Sequence, residues 1–165
     1  MPIELATGLP PASDALDRLA AAAGGPLPPG YLDFVARHDG AEPAANIIHF
    51  EDDFGAQASG VRRFVSVAEA PELMRAIEGW PKGFIPLAED DCGNHFAMSA
   101  ATGAVHFRDH EVDGPPTHLA PDIWSFLGLL LPFDENRVQV APEDVISVWV
   151  HPDFEKLTGM KPRKA

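Results

Sequence analysis

The sequence predicts an α+β fold in which helices pack on a central antiparallel sheet. The first observation is the stretch from Phe84 to His110, which has the pattern of three short strands, a meander over 84–109, joined by turns that end in Gly93 and Gly103. Glycine suits these turn ends because it adopts positive φ without a steric cost. The second observation is the helical spacing of apolar residues on both sides of this stretch. The third is a total of 17 prolines, which favours short elements with sharp starts.

The pairing within this meander follows from counting outward from its turns. In the first hairpin, Glu89 pairs with Asn94. The same count pairs Leu87 with Phe96, and the second turn pairs Phe96 with Phe107. This register gives one apolar face, made of Ile85, Leu87, Phe96, Met98, Val105 and Phe107. The other face is mixed, so water or a partner is expected to cover it; it carries Ala88, His95, Ala97, His106 and Arg108.

Two helices are predicted before the meander's neighbouring strands. Ser13 is expected to cap the first helix, which ends at Gly24. A proline-rich turn over 26–30 leads into the second helix, which Gly40 ends. Its stripe falls at positions i, i+3, i+4 and i+7, on Tyr31, Phe34, Val35 and His38.

Two more helices flank the meander. Ser66 and Glu69 match a capping box, but a helix starting there would place Pro71 where its missing N–H costs a hydrogen bond. The third helix is therefore predicted to begin at Pro71. The fourth is predicted to begin at Pro121 and to end at Pro132.

The central sheet is predicted to include two further strands, near 46–50 and 61–67. An acidic loop that runs from Glu51 to Gly60 is expected between them. Residues 111–120 are predicted to form another loop.

The C-terminal part of the chain gives a less consistent pattern. A strand is predicted at 137–140, and residues 161–165 are predicted to be frayed. The β-branched residues of 145–150 favour a strand, whereas Pro142 favours a helix start, and the sequence leaves this choice open. No linker divides the chain, so a single domain over 1–165 is expected, with 132–165 as a C-terminal extension.

Charge and composition narrow the classes of function. There are 25 acidic residues against 12 Lys and Arg, which gives a net charge of −13. Such a surface disfavours nucleic acid and anionic membranes, and it speeds encounter with basic partners. The one cysteine, Cys92, excludes an internal disulfide and a cysteine-based zinc cluster. No apolar run is long enough to cross a bilayer and the N-terminus lacks a signal-peptide pattern, so a cytoplasmic protein is expected.

The candidate chemical groups favour binding over catalysis. His95 and His106 share the mixed face, and with Asp91, Asp109 and His110 near the strand ends they are the candidates for a divalent-metal site. The predicted register sets both histidines opposite alanines, so they need not converge, and no ligand spacing such as HExxH occurs. Cys92 lies beside carboxylates that blunt thiol reactivity. No catalytic residue, metal site or cofactor is predicted.

Three segments occur in a familiar order: LPPGYLDFVARHDG, then GFIPLAEDDCGNHFAMSAATGAVHFRDH, then PDIWSFLGLL. They resemble the SUKH superfamily, the domains similar to fungal cell-wall-synthesis regulators of the Smi/Knr type and to many bacterial immunity proteins. The resemblance covers roughly residues 13–131. The matching positions are Leu27, Pro28, Tyr31, Phe34, Gly40, Ile85, Pro86, Ala88, Gly93, Asn94, Gly103, Val105, Ser125 and Phe126. The family often shows Gly-Asp where this chain has Gly93-Asn94.

The resemblance implies an α+β domain that binds a protein and is not an enzyme. We therefore expect a bacterial immunity protein that neutralises a toxin by binding it. A regulatory or scaffolding module with an endogenous protein partner is the alternative, and a small metal-binding protein or hydrolase is a further one. The partner is expected to be a protein, such as a basic toxin domain, and neither nucleic acid nor a membrane.

Two acidic clusters are the main candidates for contact with that partner. A toxin that cuts nucleic acid tends to carry a basic cleft, which an acidic inhibitor can occupy as a phosphate mimic. Together with the polar residues of the mixed face, the predicted partner-binding residues are Glu51, Asp52, Asp53, Glu89, Asp90, Asp91, His95, His106 and Arg108.

Overall fold

The computed structural model describes Leu5, residues 8–134 and residues 149–159. The chain divides into two compact units, residues 1–133 and residues 134–165. In the described part of the second unit, a short helix, α5, spans Phe154–Thr158. The prediction of one domain over residues 1–165 stays a prediction.

The first unit has an α+β architecture, which confirms the predicted fold class. Its main sheet is antiparallel and has the order β3-β4-β5-β6-β7. These strands are β3 Arg63–Phe64, β4 Phe84–Glu89, β5 His95–Ser99, β6 Val105–Arg108 and β7 Thr117–Ala120. A separate two-stranded sheet pairs β1 with β2, which span Ile47–Asp52 and Gly55–Gly60.

The helices of the first unit are α1 Ser13–Ala23, α2 Pro29–His38, α3 Ala70–Ala76 and α4 Ile123–Leu129. All four predicted helices are present. Gly24 adopts positive φ at the end of α1, as a glycine stop should, but the N-cap is Ala12 and the predicted Ser13 cap is wrong. Asp122 is the N-cap of α4, and its carboxylate accepts a hydrogen bond from the Ser125 N–H at 2.8 Å.

The start of α3 reconciles the two signals in its sequence. Ser66 and Glu69 do form capping-box hydrogen bonds: the Ser66 N–H donates to Glu69 Oε2 at 3.1 Å, and the Glu69 N–H donates to Ser66 Oγ at 3.4 Å. They do so in the turn before the helix, which begins at Ala70. Pro71 therefore sits in the first turn, where its missing N–H costs nothing.

The register of the meander is right in the second hairpin and only partly right in the first. Phe96 pairs with Phe107 as predicted, and Ile85 pairs with Met98. A bulge at Leu87 then shifts the register, so that Ala88 pairs with Phe96 and the predicted Leu87–Phe96 pair is wrong.

The shifted register has a local cause in the first turn. The Asp90 N–H donates to the Asn94 carbonyl at 3.1 Å, so this pair closes the turn. Glu89 consequently pairs with His95, and the predicted pairs of Glu89 with Asn94 and of Ala88 with His95 are wrong. Ala88 joins the apolar core instead of the mixed face.

The core lies between the sheet and the helices. All six residues of the predicted apolar face are buried in one cluster. Phe34 of α2 packs on Phe64 with ring centroids 4.7 Å apart, and Phe126 of α4 packs on Phe96 at 5.3 Å. Full burial of side chains of this size contributes roughly 1.5–3 kcal/mol each before the entropy cost. The helices thus provide the cover that the meander needs.

Two predictions outside the meander are wrong. The acidic loop predicted from Glu51 to Gly60 is a hairpin, because β1 continues to Asp52 and β2 begins at Gly55. The strand near 46–50 exists, but it belongs to this hairpin and not to the central sheet.

The remaining segments also differ from the predictions. Of residues 61–67, only Arg63–Phe64 form a strand. The loop predicted over 111–120 contains β7, which pairs with β6. The predictions for 137–140, for 161–165 and for most of 145–150 fall outside the described residues.

Candidate functional site

A groove of about 670 Å³ lies between the β1–β2 hairpin and the first turn of the meander. We call it the acidic groove. Its walls come from parts of the chain that are far apart in sequence, and its lining is completed by the end of β6, the loop that follows and the segment after α4. The lining residues are Asn46, Ile47, Phe50, Asp52, Phe54, Gln57, Ala58, Ser59, Gly60, Asp90, Asp91, Cys92, Asn94, Phe107, Asp109, Val112 and Phe133.

Backbone hydrogen bonds at the start of β1 join the hairpin to the segment after α4, and one further bond extends the hairpin's own ladder. The Ile47 N–H donates to the Leu131 carbonyl at 2.9 Å, and the Leu131 N–H donates back at 2.7 Å. The Val61 N–H donates to the Asn46 carbonyl at 2.7 Å. Because Ile48 is fully buried and strand side chains alternate, β1 also turns Phe50 toward the core side. The groove wall is therefore anchored to the rest of the first unit.

Aromatic and aliphatic side chains line the apolar part of the acidic groove. Phe50 packs against Phe107 in a tilted arrangement with ring centroids 4.9 Å apart, so the hairpin contacts β6. Phe54, at the hairpin tip, is 73% exposed, and Phe133 is 59% exposed. Val112 is also exposed. Exposed apolar groups that gather at one concave surface are typical of binding sites.

Four aspartates line the polar part: Asp52, Asp90, Asp91 and Asp109. Among the described residues that line the groove, there is no Lys, Arg or His. The four carboxylates therefore face one cavity without a cationic side chain in its described lining, and a low-dielectric cavity strengthens their combined field. This arrangement attracts a cation.

Asp90 holds the groove together. Its carboxylate accepts hydrogen bonds from the Cys92 and Asn94 N–H groups, both at 2.8 Å, and from Asn94 Nδ2 at 2.9 Å. It also accepts from Ser59 Oγ at 3.0 Å, which joins the hairpin to the turn. Burial alone would raise the pKa of Asp90, but these hydrogen bonds together hold it below its ordinary value. Asp90 is therefore an ionised structural anchor.

Asn94 explains why this chain tolerates its departure from the Gly-Asp pattern. Its amide nitrogen donates to Asp90, and its amide oxygen accepts from the His110 N–H at 3.1 Å. An aspartate at this position would lose the first of these bonds and place a second negative charge beside Asp90. The amide thus ties the turn to the loop that follows β6.

Asp52 is also engaged within the chain, whereas Asp91 and Asp109 have capacity left. Asp52 Oδ1 accepts from the Phe54 N–H at 2.8 Å and from Gln57 Nε2 at 3.2 Å, which shapes the hairpin tip. The side chain of Asp91 is 76% exposed and reaches Arg62 only at 3.8 Å. Asp109 accepts from the Glu111 N–H at 2.8 Å through Oδ1. A ligand would meet the carboxylates of Asp91 and Asp109 first.

Glu89, although predicted to contact a partner, is bound within the protein. It is buried, and it pairs with Arg62 and with Arg63, whose Nε lies 2.8 Å from Glu89 Oε1. Arg63 also forms a bidentate ion pair with Glu69, in which both nitrogen–oxygen distances are 2.9 Å. The hydrogen bonds from Arg63 hold the pKa of Glu69 at about 2. These ion pairs lock β3 to β4 and to the turn before α3.

The mixed face of the meander is covered by the protein's own side chains. Trp80 packs edge-on against His95, with ring centroids 5.6 Å apart, and Arg108 lies 5.7 Å from the Trp80 ring. His106 instead packs against Phe84 and against His118 of β7. Since the two predicted histidines have different neighbours, they do not form a common site.

The histidines of this face are held in their neutral form. Burial, and then the charge of Arg108, lower the pKa of His95. Burial also lowers the pKa of His106. Across the described ranges, no group of three or more His, Cys, Asp or Glu side chains is placed to hold a metal ion.

The acidic groove therefore brings together three of the nine predicted contact residues: Asp52, Asp90 and Asp91. Glu51 does not line the groove, and Asp53 and Arg108 line a smaller neighbouring depression. Glu89 and His95 line a third one, beside Asp90 and Asp91. The sequence predictions gave Asp109 only as a candidate metal ligand, and they missed the aromatic part of the site. The one signal for it was Phe54, an apolar residue placed directly after three acidic ones.

Fold and site together define a class: an α+β domain that presents an acidic groove with an aromatic lining on a scaffold of antiparallel strands. The chain belongs to the SMI1/KNR4 family (SUKH-1), whose family model matches residues 10–128. This match confirms the resemblance to the SUKH superfamily. The family is generally one of non-enzymatic immunity or regulatory domains that bind other proteins. No curated protein matches the chain.

None of the helices in the described residues is long and apolar enough to span a bilayer.

Proposed function

We propose that this protein is an immunity protein, which binds a toxin domain in the cytoplasm of the cell that produces it and neutralises that toxin. The observation that carries the proposal is the convergence of Asp52 from the hairpin with Asp90 and Asp91 from the meander turn. These residues were predicted to lie in two separate acidic segments, and the fold gathers them at one groove. A family of protein-binding domains supplies the class of partner.

The charge of the whole chain supports a basic partner. A net charge of −13 accelerates association with a positively charged surface, such as the cleft of a toxin that acts on nucleic acid. Neutralisation by occupation of such a cleft needs no chemistry from the immunity protein. The groove supports this role because its most exposed charges are carboxylates on a rigid frame.

An immunity gene should sit beside the gene of its toxin, so the test is co-expression with a toxin candidate encoded next to this protein's gene. Rescue of growth, together with co-purification of the two proteins, is the expected result. Association measured on the purified pair should slow by roughly tenfold as salt rises from about 0.05 M to about 0.5 M, because exposed charges are screened.

Two results would count against the proposal. Failure of the wild-type protein to protect the cell while it is well expressed and folded would exclude immunity toward that toxin. Stable capture of an endogenous protein without any protection would favour the regulatory or scaffolding alternative.

A further inference from the structure

We infer that the acidic groove receives one segment of the protein partner, and that this segment presents an Arg or Lys side chain flanked by apolar side chains. The inference rests on the proposed function, because it names the chemistry of the partner at the same groove. It goes further in one respect: charge alone would be satisfied by any basic surface, whereas this groove requires apolar neighbours beside the cation.

The apolar requirement follows from the lining. The packed rings of Phe50 and Phe107 give the groove an aromatic lining, and exposed Phe54 and Phe133 add two further rings. Water contact with such rings is unfavourable, and aromatic side chains in concave sites commonly carry much of the binding energy of an interface. A partner segment with apolar side chains would cover these rings, whereas a purely polar segment would leave them exposed to water.

The cationic requirement follows from the carboxylates. Asp91 and Asp109 keep accessible acceptor capacity, while Asp90 and Asp52 are occupied by internal donors. Covering Asp91 and Asp109 with an uncharged segment would cost their hydration without compensation. An Arg or Lys side chain compensates for the lost hydration of these carboxylates, and an Arg can in addition lie flat on an aromatic ring.

A second copy of this chain fits the groove less well than a basic partner. Two chains that each carry a net charge of −13 repel one another, so electrostatic repulsion opposes self-association through an acidic surface. Self-association is therefore an outcome that the test must be able to detect.

The first experiment uses two peptides as probes of the groove: N-acetyl-Leu-Arg-Leu-amide, and the same peptide with Gln in place of Arg. Each is titrated into the full-length, isotopically labelled protein while backbone amide shifts are followed by NMR. We expect saturable shifts at groove residues such as Phe54, Asn94 and Asp109 with the Arg peptide. The Gln peptide should bind about tenfold more weakly, because it lacks the charge-assisted contact.

Matched variants separate the groove from the overall charge. Asp91→Asn combined with Asp109→Asn should weaken binding of the Arg peptide by about tenfold. Asp17→Asn combined with Asp33→Asn removes the same charge from α1 and α2 and should change binding by less than about twofold. Phe54→Ala should weaken the binding of both peptides. Leu9→Ala, which truncates another exposed apolar side chain, should weaken the binding of neither.

The results overturn the inference if groove residues show no saturable shift, if the two peptides bind equally, or if the two double variants weaken binding equally. Concentration-dependent dimerisation that the Arg peptide cannot displace would also overturn it.

The toxin assay keeps this inference distinct from the proposed function. If the wild-type protein neutralises its toxin and the Asp91→Asn/Asp109→Asn variant binds that toxin equally well, the inference fails and the immunity role stands. If the wild-type protein does not neutralise the toxin, the immunity role fails, and the peptide titration still decides what the groove binds.

Discussion

Ser59 donates its hydroxyl to Asp90 at 3.0 Å, and this hydrogen bond joins the β1–β2 hairpin to the first turn of the central meander. Ser59 lies in β2 of the two-stranded sheet, whereas Asp90 lies in the turn that follows β4 of the main sheet. Their contact determines how far the walls of the acidic groove stand apart. The same carboxylate also organises its own turn, so one side chain couples the local shape of the turn to the shape of the site.

This double role of Asp90 predicts a clear loss of stability on substitution. Asp90→Ala leaves the Cys92 and Asn94 N–H groups without their acceptor, and we expect a loss of about 2–3 kcal/mol in the free energy of unfolding. Ser59→Ala removes one of the four bonds and should cost about 1 kcal/mol. Urea denaturation followed by circular dichroism measures both.

Asp91→Ala is the matched control, because it removes the neighbouring carboxylate, whose side chain is mostly exposed. We expect a change within about 0.5 kcal/mol. An equal loss of stability from Asp90→Ala and Asp91→Ala would show that the hydrogen bonds of Asp90 do not hold the turn.

The meander shows how much of this fold the sequence specifies. Turn length and the spacing of Phe96 and Phe107 were sufficient for the second hairpin, because both signals are local and agree. The bulge at Leu87 was not predictable in this way, since it depends on a turn that Asp90 and Asn94 close through a backbone hydrogen bond and that the Asp90 carboxylate holds in shape. A pattern of apolar residues does not report which polar side chain will cap a turn.

The hairpin shows why part of the fold and most of the site were missed. The strand β2, Gly55–Gly60, consists of small and polar residues and has low intrinsic preference for a strand. It forms because β1 offers it an edge and because Asp52 shapes the tip. The groove depends on that hairpin lying next to the meander, which is a long-range contact with no periodic signature in the sequence.

The Arg63–Glu69 pair predicts a specific dependence of stability on pH. Because Arg63 holds the pKa of Glu69 at about 2, below its ordinary value of 4.5, the ionised carboxylate stabilises the folded state. This contribution is fully present above about 4.5 and is lost as the pH falls toward about 2. The stability difference between the wild type and Glu69→Gln should therefore shrink over that range, as measured by urea denaturation at successive pH values.

Glu72→Gln, in the first turn of α3, provides the control. Glu72 pairs with Arg75 on an exposed surface, where ion pairs contribute little. Its stability difference from the wild type should stay small and nearly constant across the same pH range. A wild-type advantage over Glu69→Gln that persists undiminished at the acid end would contradict the assignment of the low pKa to Glu69.

The environment of His95 predicts a measurable titration. Burial and the charge of Arg108 lower its pKa below the ordinary value of 6.5, so His95 should be neutral at neutral pH. Arg108→Gln should raise this pKa only partly, because burial is the larger cause. NMR titration of the imidazole protons measures both values, and Arg75→Gln serves as a control that removes an exposed cation of α3.

The lowered pKa of His95 also determines whether its contribution to folding stability rises or falls with pH. Because the unfolded state takes up a proton at His95 before the folded state does, the contribution of His95 is present above about 6.5 and declines on acidification. A pKa of His95 above 6.5, or an equal effect of Arg108→Gln and Arg75→Gln, would contradict the packing described for this face.

Cys92 provides a direct reporter of the acidic groove. It is exposed and lines the groove, and it is the one cysteine in the sequence, so thiol alkylation by iodoacetamide reports this position. A protein partner seated in the groove should slow the alkylation of Cys92 by at least about tenfold at saturating concentration, since access to the thiol controls its reaction rate. Mass spectrometry of timed samples gives the rate. The same partner added to the Asp91→Asn/Asp109→Asn variant at equal concentration should protect less. A partner that binds tightly but leaves the alkylation rate unchanged must lie on another surface, and the groove would then have no part in recognition.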